Sequence, residues 1–204
     1  MSREAAFWNR MAPRYARMQL ADPEAYEETL ARVRARLSPT DRVLEIGCGT
    51  GATAVRLAPG VAGYTASDLA PGMIAIARAR PEVASLPQLS FHVAEAGTPA
   101  GPFDAVLAFN LLHLLPDLTG GLGRIRDGLR PGGLFLSKTP CLAELSPLLR
   151  LVVPALRLVG LAPRLAWLRR AELEARIAAA GFDILETADL PARRAQRFIV
   201  ARQV

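Results

Sequence analysis

A glycine-rich loop with acidic residues on either side is the part of the sequence best suited to bind a small molecule. Residues 43–51 read VLEIGCGTG, so a short apolar stretch runs into Gly47, Gly49 and Gly51 just before a helical stretch. Glycine tolerates positive φ and lets a ligand approach the backbone closely. Asp68 lies seventeen residues past Gly51, at the end of the next predicted strand, where a carboxylate can accept hydrogen bonds from ribose hydroxyls. The spacing therefore predicts a nucleoside site.

The charge beside this loop indicates what kind of nucleoside it would hold. A dinucleotide loop has the pattern G-x-G-x-x-G and places a pyrophosphate at a helix N-terminus, whereas the third glycine here comes one residue early. Glu45 lies two residues before Gly47, and a carboxylate there would repel a pyrophosphate but attract an ammonium or sulfonium group. The electrostatics favour a cationic nucleoside over a nicotinamide dinucleotide, and a nicotinamide-dependent reductase is the weaker alternative.

Two polar side chains that could act on a second substrate follow the predicted strand at 103–109. Ligands of doubly wound sheets bind outside the carboxyl ends of the strands, and Asn110 and His113 fall there. His113 is the near-neutral titrating group best placed to transfer a proton. The alternative interpretation is that His113 is a hydrogen-bonded, purely structural histidine at the start of a helix. The phenols of Tyr15 and Tyr26 are alternatives that could orient an amine.

The elements that must position these residues alternate between strand and helix. The predicted strands cover residues 42–46, 61–67, 89–93, 103–109, 134–137, 182–186 and 197–201. The predicted helices cover 22–37, the stretch after Gly51 through 58, 71–80, 118–129 and 171–180, with a further helical pattern at 3–20 that Pro13 interrupts. This alternation predicts an α/β fold, a Rossmann-like doubly wound sheet that is mostly parallel with an antiparallel C-terminal edge strand. We expect a single domain over residues 1–204, with an N-terminal helical cap at 1–37.

An apolar and basic insert is predicted at 141–171. Its stretch 145–171 contains five Arg, no acidic residue, and mostly Leu, Val, Ala and Pro. Arg150, Arg157 and Arg164 recur every seven residues, which would place them on one helical face, although two prolines forbid one continuous helix. The arginines argue against a membrane span. Two interpretations compete: a cover over the acceptor pocket, or a patch that dips into an anionic bilayer.

Composition narrows the remaining classes. The chain has 204 residues and a formal net charge of +6, and Lys138 is its single lysine beside 24 arginines. The basic residues are not interleaved with aromatic residues in one patch, so a nucleic-acid partner is not predicted. Cys48 and Cys141 are the two cysteines, and their spacing supports neither a disulfide framework nor a metal site. With no secretory signal pattern at the start, we expect a cytoplasmic protein, in peripheral contact with the inner face of the membrane if the insert binds lipid.

In combination, these motifs resemble a known family. VLEIGCGTG, followed by Asp68 and by LRPGG at 129–133, resembles the class I S-adenosylmethionine-dependent methyltransferases, and the resemblance runs from about Phe7 to Val200. Within that superfamily the pattern is similar to the branch of ubiquinone/menaquinone C-methyltransferases and the bacterial phospholipid N-methyltransferases similar to them. It implies S-adenosylmethionine as cofactor, S-adenosylhomocysteine as product, and an N-terminal cap around Trp8 and Tyr15 that closes over the cofactor.

The resemblance also implies roles for individual residues. Glu45 would lie beneath the amino group of the methionine moiety, Asp68 would bind the ribose hydroxyls and Leu69 would contact the adenine. The family's usual acid after the third strand is displaced or missing in VAEAG at 93–97. The full set of cofactor-binding candidates is Glu45, Gly47, Cys48, Gly49, Gly51, Asp68, Leu69, Met73, Ala94, Glu95 and Asn110. The catalytic candidates are His113, Tyr15 and Asn110.

The acceptor is less well defined than the cofactor. The apolar insert favours a lipophilic acceptor, either the amine of a phosphatidylethanolamine-type lipid or an isoprenoid quinol. Methylation of a soluble small molecule and a non-catalytic S-adenosylmethionine-binding protein are the alternatives. The sequence does not define the oligomeric state.

Overall fold

The chain folds around one seven-stranded sheet. The computed structural model describes residues 2–95, 101–145, 149–158, 162–191 and 195–204. The strands are β1 (Arg42–Ile46), β2 (Gly63–Asp68), β3 (Leu89–Val93), β4 (Phe103–Phe109), β5 (Leu129–Pro140), β6 (Phe182–Asp189) and β7 (Gln196–Gln203). The helices are α1 (Arg3–Ala16), α2 (Pro23–Arg34), α3 (Ala54–Leu57), α4 (Pro71–Arg78), α5 (Leu118–Asp127), α6 (Leu149–Leu158) and α7 (Arg170–Ala179).

The strand order is β3-β2-β1-β4-β5-β7-β6. Strands β1 to β5 pair in parallel, and β7 runs antiparallel to both of its neighbours. The Rossmann-like fold class is therefore confirmed. The antiparallel C-terminal strand predicted at the edge is β7, and it lies one place in, between β5 and the edge strand β6. The order reverses between β1 and β4, so the carboxyl ends of these two strands flank the crevice in which such sheets bind ligands.

Helices cover both faces of the sheet, as a doubly wound fold requires. Leu30 of α2 and Ile74 of α4 belong to one buried cluster, on the face to which Leu107 points. Leu122 of α5 and Ile177 of α7 belong to the other cluster. Because both faces are buried, β4 is apolar almost throughout, which is why its bounds are readable from the sequence.

The N-terminal helix differs from its prediction. The sequence predicts an interruption at Pro13, but α1 continues to Ala16. Ser2 caps its start by accepting a hydrogen bond from the backbone N–H of Ala5 at 3.1 Å. Pro13 lies in the last turn, where it removes a single intrahelical hydrogen bond, and α1 tolerates that loss.

Strand β5 is longer than the predicted segment 134–137. Its pairing with β4 begins at Leu129, shifts register between Phe103 and Ala105, and resumes at Leu134. Pro131-Gly132-Gly133 thus forms an irregularity inside the strand instead of a turn before it, with Gly132 at φ 75. Strands β6 and β7 are likewise longer than predicted. Their pairing with each other continues through polar residues, which in the sequence look like the ends of the strands.

The insert contains α6, and Pro154 lies within that helix. Arg150 and Arg157 share it, but Arg164 lies beyond its end, so the predicted face of three arginines is wrong. Residues 146–148 and 159–161 of the insert, and 96–97 of the loop after β3, lie outside the described residues. Among the helices that the structure describes, none has the length and apolar character needed to cross a membrane.

Candidate active site

The glycine loop turns sharply at the carboxyl end of β1. Gly47, Gly49 and Gly51 have φ values of 69°, 55° and 75°, in the left-handed region that glycine adopts without strain. At Gly51, a Cβ atom would also lie 2.9 Å from the Cβ of Ala77 and 2.9 Å from the ring of Phe91. The loop is therefore packed from behind by α4 and β3, which fixes the direction in which its backbone faces the crevice.

Asp68 ends β2 and holds the loop in place. Its Oδ2 accepts a hydrogen bond from the backbone N–H of Gly49 at 2.9 Å, and its Oδ1 accepts one from Ala70 at 2.9 Å. Desolvation raises the pKa of Asp68, while these two hydrogen bonds lower it. Each carboxylate oxygen keeps a lone pair beyond the bond it makes, so the group can accept further hydrogen bonds from a ribose.

Glu45 lies beneath the loop and is 3% exposed. The hydroxyl of Tyr64 donates to its Oε2 at 2.8 Å. Burial raises the pKa of Glu45 to about 8, the bond from Tyr64 lowers it, and the carboxylate of Asp68 raises it further. A buried carboxyl of this kind favours a cation beside it, because a positive charge would restore the ionised form.

Two cavities meet at this loop, and both lie at the carboxyl ends of the strands. The first has a volume of about 620 Å³ and the second about 480 Å³. The residues that line both are Tyr15, Gly47, Gly49, Phe109 and Asn110. A ligand on the loop can therefore reach into both cavities past Asn110.

The structure brings most of the predicted cofactor residues to these cavities. Those in the second cavity are Gly47, Gly49, Asp68, Leu69, Met73, Ala94, Glu95 and Asn110. Glu45 and Cys48 line the first. Gly51 lines neither, because it packs against Phe91 and shapes the loop from behind. Burial raises the pKa of the Cys48 thiol, so this cysteine packs as a small apolar group.

Asn110 and His113 follow β4 as the sequence predicts. Asn110 has φ 53°, a conformation that asparagine adopts more readily than most residues, and its backbone N–H donates to the carbonyl of Lys138 at 2.7 Å. His113 lines the second cavity in the short helix Leu112–Leu114 and is 9% exposed. Among the described residues its Nδ1 has no hydrogen-bond partner.

The titration expected for His113 differs from the prediction. Burial lowers its pKa to about 4, so the imidazole is neutral at pH 7 and does not titrate near neutrality. The carbonyl of His113 accepts a hydrogen bond from the backbone of Ala166 at 2.7 Å, which ties the insert to this part of the site. Pro163 and Arg164 of the insert also line the second cavity.

The cap helix α1 closes the site from the N-terminal side. Asn9 accepts a hydrogen bond from the backbone N–H of Gly72 at 2.6 Å through its Oδ1. Tyr15 stacks edge-on against Trp8, with ring centroids 6.4 Å apart, and faces Gly49. Desolvation raises the pKa of Tyr15, and the carboxylates of Asp68 and Glu45 raise it further. Its phenol is therefore protonated and can donate a hydrogen bond to a ligand on the loop.

Sequence reasoning misses two residues of this site. Tyr64 lies in the middle of β2 and looks like any buried aromatic residue, so nothing in the sequence predicts its bond to Glu45. Lys138 lies on β5 in the first cavity, and its ammonium donates to Thr29 of α2 at 2.9 Å. Its one signal is that a single lysine stands among 24 arginines.

Comparison with known proteins gives the family. The model of the "Methyltransferase domain" matches residues 16–187. A ubiquinone biosynthesis O-methyltransferase of Xanthomonas axonopodis pv. citri (strain 306) is 35% identical over an alignment of 168 residues; the match covers 71% of this chain and 68% of that protein.

Solved structures share the fold over nearly the whole chain. The DhpI–S-adenosylhomocysteine complex has a TM-score of 0.76 at 22% identity and covers 98% of this chain and 95% of that one. The magnesium protoporphyrin IX methyltransferase of Synechocystis PCC 6803, crystallised with S-adenosylmethionine, has a TM-score of 0.74 at 16% identity and covers 100% and 98%. Together with the loop, its acidic partners and the domain match, these findings show that the chain belongs to the methyltransferase-domain family and is a class I S-adenosylmethionine-dependent methyltransferase.

Proposed function

We propose that S-adenosylmethionine binds across the glycine loop, with its adenosine in the second cavity and its amino acid end in the first. Asp68 and Leu69 line the adenosine side, and Glu45 lies in the first cavity, where a cationic group beside it would favour its ionised form. The residues present fit the cofactor, because Gly47 and Gly49 of the loop line both cavities and each cavity has one of the two carboxyls, Glu45 in the first and Asp68 in the second. When bound, S-adenosylmethionine supplies a methyl group on a sulfonium that is already activated as a leaving group.

The acceptor enters where the two cavities meet, over the carboxyl ends of β4 and β5. The observation that carries this proposal is the apolar wall of the second cavity beyond Asn110. That wall consists of Leu111, Leu114, Leu115, Pro116 and Pro140, with His113 as its buried polar group. Such a wall suits a lipophilic ring better than a small polar metabolite. Asn110 lies between the cofactor loop and this wall.

A quinol-type ring is the acceptor we favour, methylated on oxygen. The support is the identity to a protein named ubiquinone biosynthesis O-methyltransferase, together with the apolar wall. A phenol needs to lose a proton at the transfer step. Orientation of the donor and the acceptor can lower the activation barrier by on the order of 7–11 kcal/mol. The neutral imidazole of His113 can hold a hydrogen bond from the acceptor without carrying charge into an apolar cavity.

Methyl transfer into a lipid extract tests the proposal. The protein is incubated with radiolabelled S-adenosylmethionine and a total lipid extract, and the products are separated by chromatography. We expect label in the quinone fraction, in a product that releases labelled methyl iodide on cleavage with hydriodic acid, as an aryl methyl ether does. Label in a phospholipid headgroup would instead establish N-methylation, and bound cofactor with no labelled lipid would point to a soluble acceptor or to a non-catalytic protein.

The insert gives this site a route to a membrane. In α6, Val152 is 49% exposed and Leu158 is 86% exposed, and Arg157 lies between them on an exposed helix. An exposed apolar and basic helix of this kind binds anionic interfaces. Residues after α6 then return to the second cavity at Pro163 and Arg164. We propose that the insert has both roles, an exposed helix that contacts the membrane followed by a segment that covers the second cavity.

Vesicle sedimentation separates the two roles of the insert. We expect binding to vesicles that contain anionic lipid, weakened by salt and by Leu158→Asp, and no binding to neutral vesicles. Val204→Asp is the matched control, because Val204 is 88% exposed at the far end of the chain. Equal binding by both variants would exclude α6 as the contact.

A further inference from the structure

Lys138 is a buried lysine of the first cavity to which the proposed cofactor contacts assign no role. It is the chain's single lysine, and only 8% of its surface is exposed. No ion pair among the described residues includes it. Burial lowers the pKa of Lys138, and the carboxylates of Asp22 and Glu28 offset only part of that lowering. Lysine is rarely buried without a partner, because desolvating an ammonium is costly.

The hydrogen bonding of Lys138 leaves donors free. Its Nζ lies 2.9 Å from Oγ1 of Thr29, and that hydroxyl donates its proton to the carbonyl of Ala25 at 2.6 Å. The hydroxyl proton is therefore committed, so Lys138 must be the donor. An ammonium has three N–H groups, and Thr29 accepts one of them. Within the part of the chain that the structure describes, the other two N–H groups have no acceptor, so they can bind a ligand in the first cavity, which Lys138 lines.

The topology places this cation on the acceptor side. Lys138 is the register partner of Phe109, and its carbonyl accepts the hydrogen bond from the backbone of Asn110. The cofactor loop leaves β1, and β4 separates β1 from β5. Since neighbouring strands lie about 4.8 Å apart, β5 is about 10 Å from β1. Lys138 lines the first cavity, while Phe109 beside it and Asn110 line both cavities, so a group held by Lys138 can reach the junction of the two cavities, where the acceptor would enter.

We propose that Lys138 binds an anionic oxygen of the acceptor, either a phenolate or a carboxylate on the ring. This inference deepens the proposed methylation of a quinol-type ring and rests on it. A phenol held there loses its proton to water and keeps both electrons on oxygen. That oxygen can then bond to the methyl carbon while the S–C bonding pair leaves with sulfur. Lys138 thus selects ring acceptors with an ionisable oxygen over neutral ones.

Binding of two probes to the protein saturated with S-adenosylhomocysteine tests the site without requiring turnover. The probes are 3,4-dihydroxybenzoate and its methyl ester, titrated by calorimetry into the wild type, Lys138→Met and Arg202→Met. The control removes the same charge from an exposed position on β7 that pairs with Leu134, four residues before Lys138 on β5. Lys138→Gln, which keeps a donor for Thr29 but no charge, replaces Lys138→Met if that variant does not fold.

We expect the Lys138 variant to bind at least one probe about tenfold to a hundredfold more weakly, as loss of a charge-assisted hydrogen bond does, and the control to match the wild type. Weakening of the acid alone assigns Lys138 to a ring carboxylate, and weakening of both probes assigns it to a phenolate. Equal affinities in all three proteins, or no binding of either probe to the wild type, would overturn the proposal.

Two further results separate this inference from its alternatives. If Lys138→Met weakens S-adenosylhomocysteine but not 5′-methylthioadenosine, Lys138 binds the cofactor's carboxylate and the proposal is wrong. Probe binding that depends on Lys138, in an enzyme that methylates no phenol, would refute the proposed function and leave the anion site intact. Quinol methylation that Lys138→Met leaves unchanged would refute the site alone.

Discussion

Asp68→Ala separates two roles of one carboxylate. In the structure Asp68 holds the backbone N–H groups of Gly49 and Ala70, each at 2.9 Å, so it fixes the cofactor loop before any ligand binds. Ribose binding would be a second role of the same oxygens. The substitution removes both, and the two losses appear in different measurements.

The expected magnitudes follow from the bonds that are lost. In the variant, the backbone N–H groups of Gly49 and Ala70 lose their charged acceptor. Because the site opens to a cavity, water can accept some of these hydrogen bonds instead, and we expect the free energy of unfolding to fall by about 2 kcal/mol. Loss of charge-assisted hydrogen bonds to a ribose weakens S-adenosylhomocysteine by about 1–3 kcal/mol, or roughly fivefold to 150-fold in Kd. Asp104→Ala is the matched control. Asp104 accepts a backbone N–H bond from Arg42 at 2.6 Å at the start of β4, so its loss should lower stability alone.

A double-mutant cycle with the ligand isolates the ribose contact. Calorimetry compares S-adenosylhomocysteine with its 3′-deoxy analogue in the wild type and in Asp68→Ala. We expect the wild type to bind the analogue more weakly and the variant to lose that discrimination. If the variant discriminates between the two ligands as strongly as the wild type does, Asp68 acts only as a support for the loop and the reasoning fails.

Three further predictions concern pH, the imidazole and the loop. Because the pKa of Glu45 is raised from 4.5 to about 8, the folded protein binds this proton more tightly than the unfolded chain, so stability falls by up to roughly 5 kcal/mol as pH rises through that window. Urea unfolding at several pH values should show the fall, and Glu45→Gln should abolish it; an unchanged slope would contradict the assignment. His113→Ala should lower kcat and leave S-adenosylhomocysteine affinity intact, with the exposed His92→Ala as control. Since the pKa of His113 is about 4, an inflection of wild-type kcat near pH 6.5 that disappears in the variant would be evidence against its burial. Gly51→Ala should cost about 2–4 kcal/mol through strain and overpacking, whereas Gly132→Ala, with the same φ of 75° and nothing within 4 Å, should cost about 1. Equal losses would show that close packing behind the loop is unimportant.

The strands that sequence analysis predicts best are those bounded by breakers. The predicted bounds of β1, β3 and β4 match the structure residue for residue, because each is a short run with apolar alternation or continuity between turn-forming residues. β5 is longer than predicted, because pairing with both neighbours carries the strand through the Pro131–Gly133 irregularity, and a local pattern does not contain that pairing.

The site was predictable to the extent that motifs and chain order specify it. The glycine loop, Asp68 and Asn110 lie where a doubly wound sheet places them, since Asp68 ends a strand and the other two directly follow one. The bond between Tyr64 and Glu45 and the bond between Lys138 and Thr29 join residues 19 and 109 positions apart. Such partners are set by which strand faces and helices meet, and that information exists only in the folded chain.

The cap helix gives cofactor affinity a folding component. α1 packs through a small cluster of Ala12, Ala70 and Met73 that is separate from the two large clusters of the sheet. Its docking is therefore a local equilibrium, and the apparent Kd equals the intrinsic Kd divided by the docked fraction. We expect S-adenosylhomocysteine to slow amide hydrogen exchange in α1 more than in α5, because α5 packs into one of the two large clusters of the sheet. Equal slowing in the two helices would contradict separate docking of α1. Part of what a titration reports as affinity is then the free energy of ordering these 14 residues, and a substitution on the outer face of α1 can change cofactor binding without touching the cofactor.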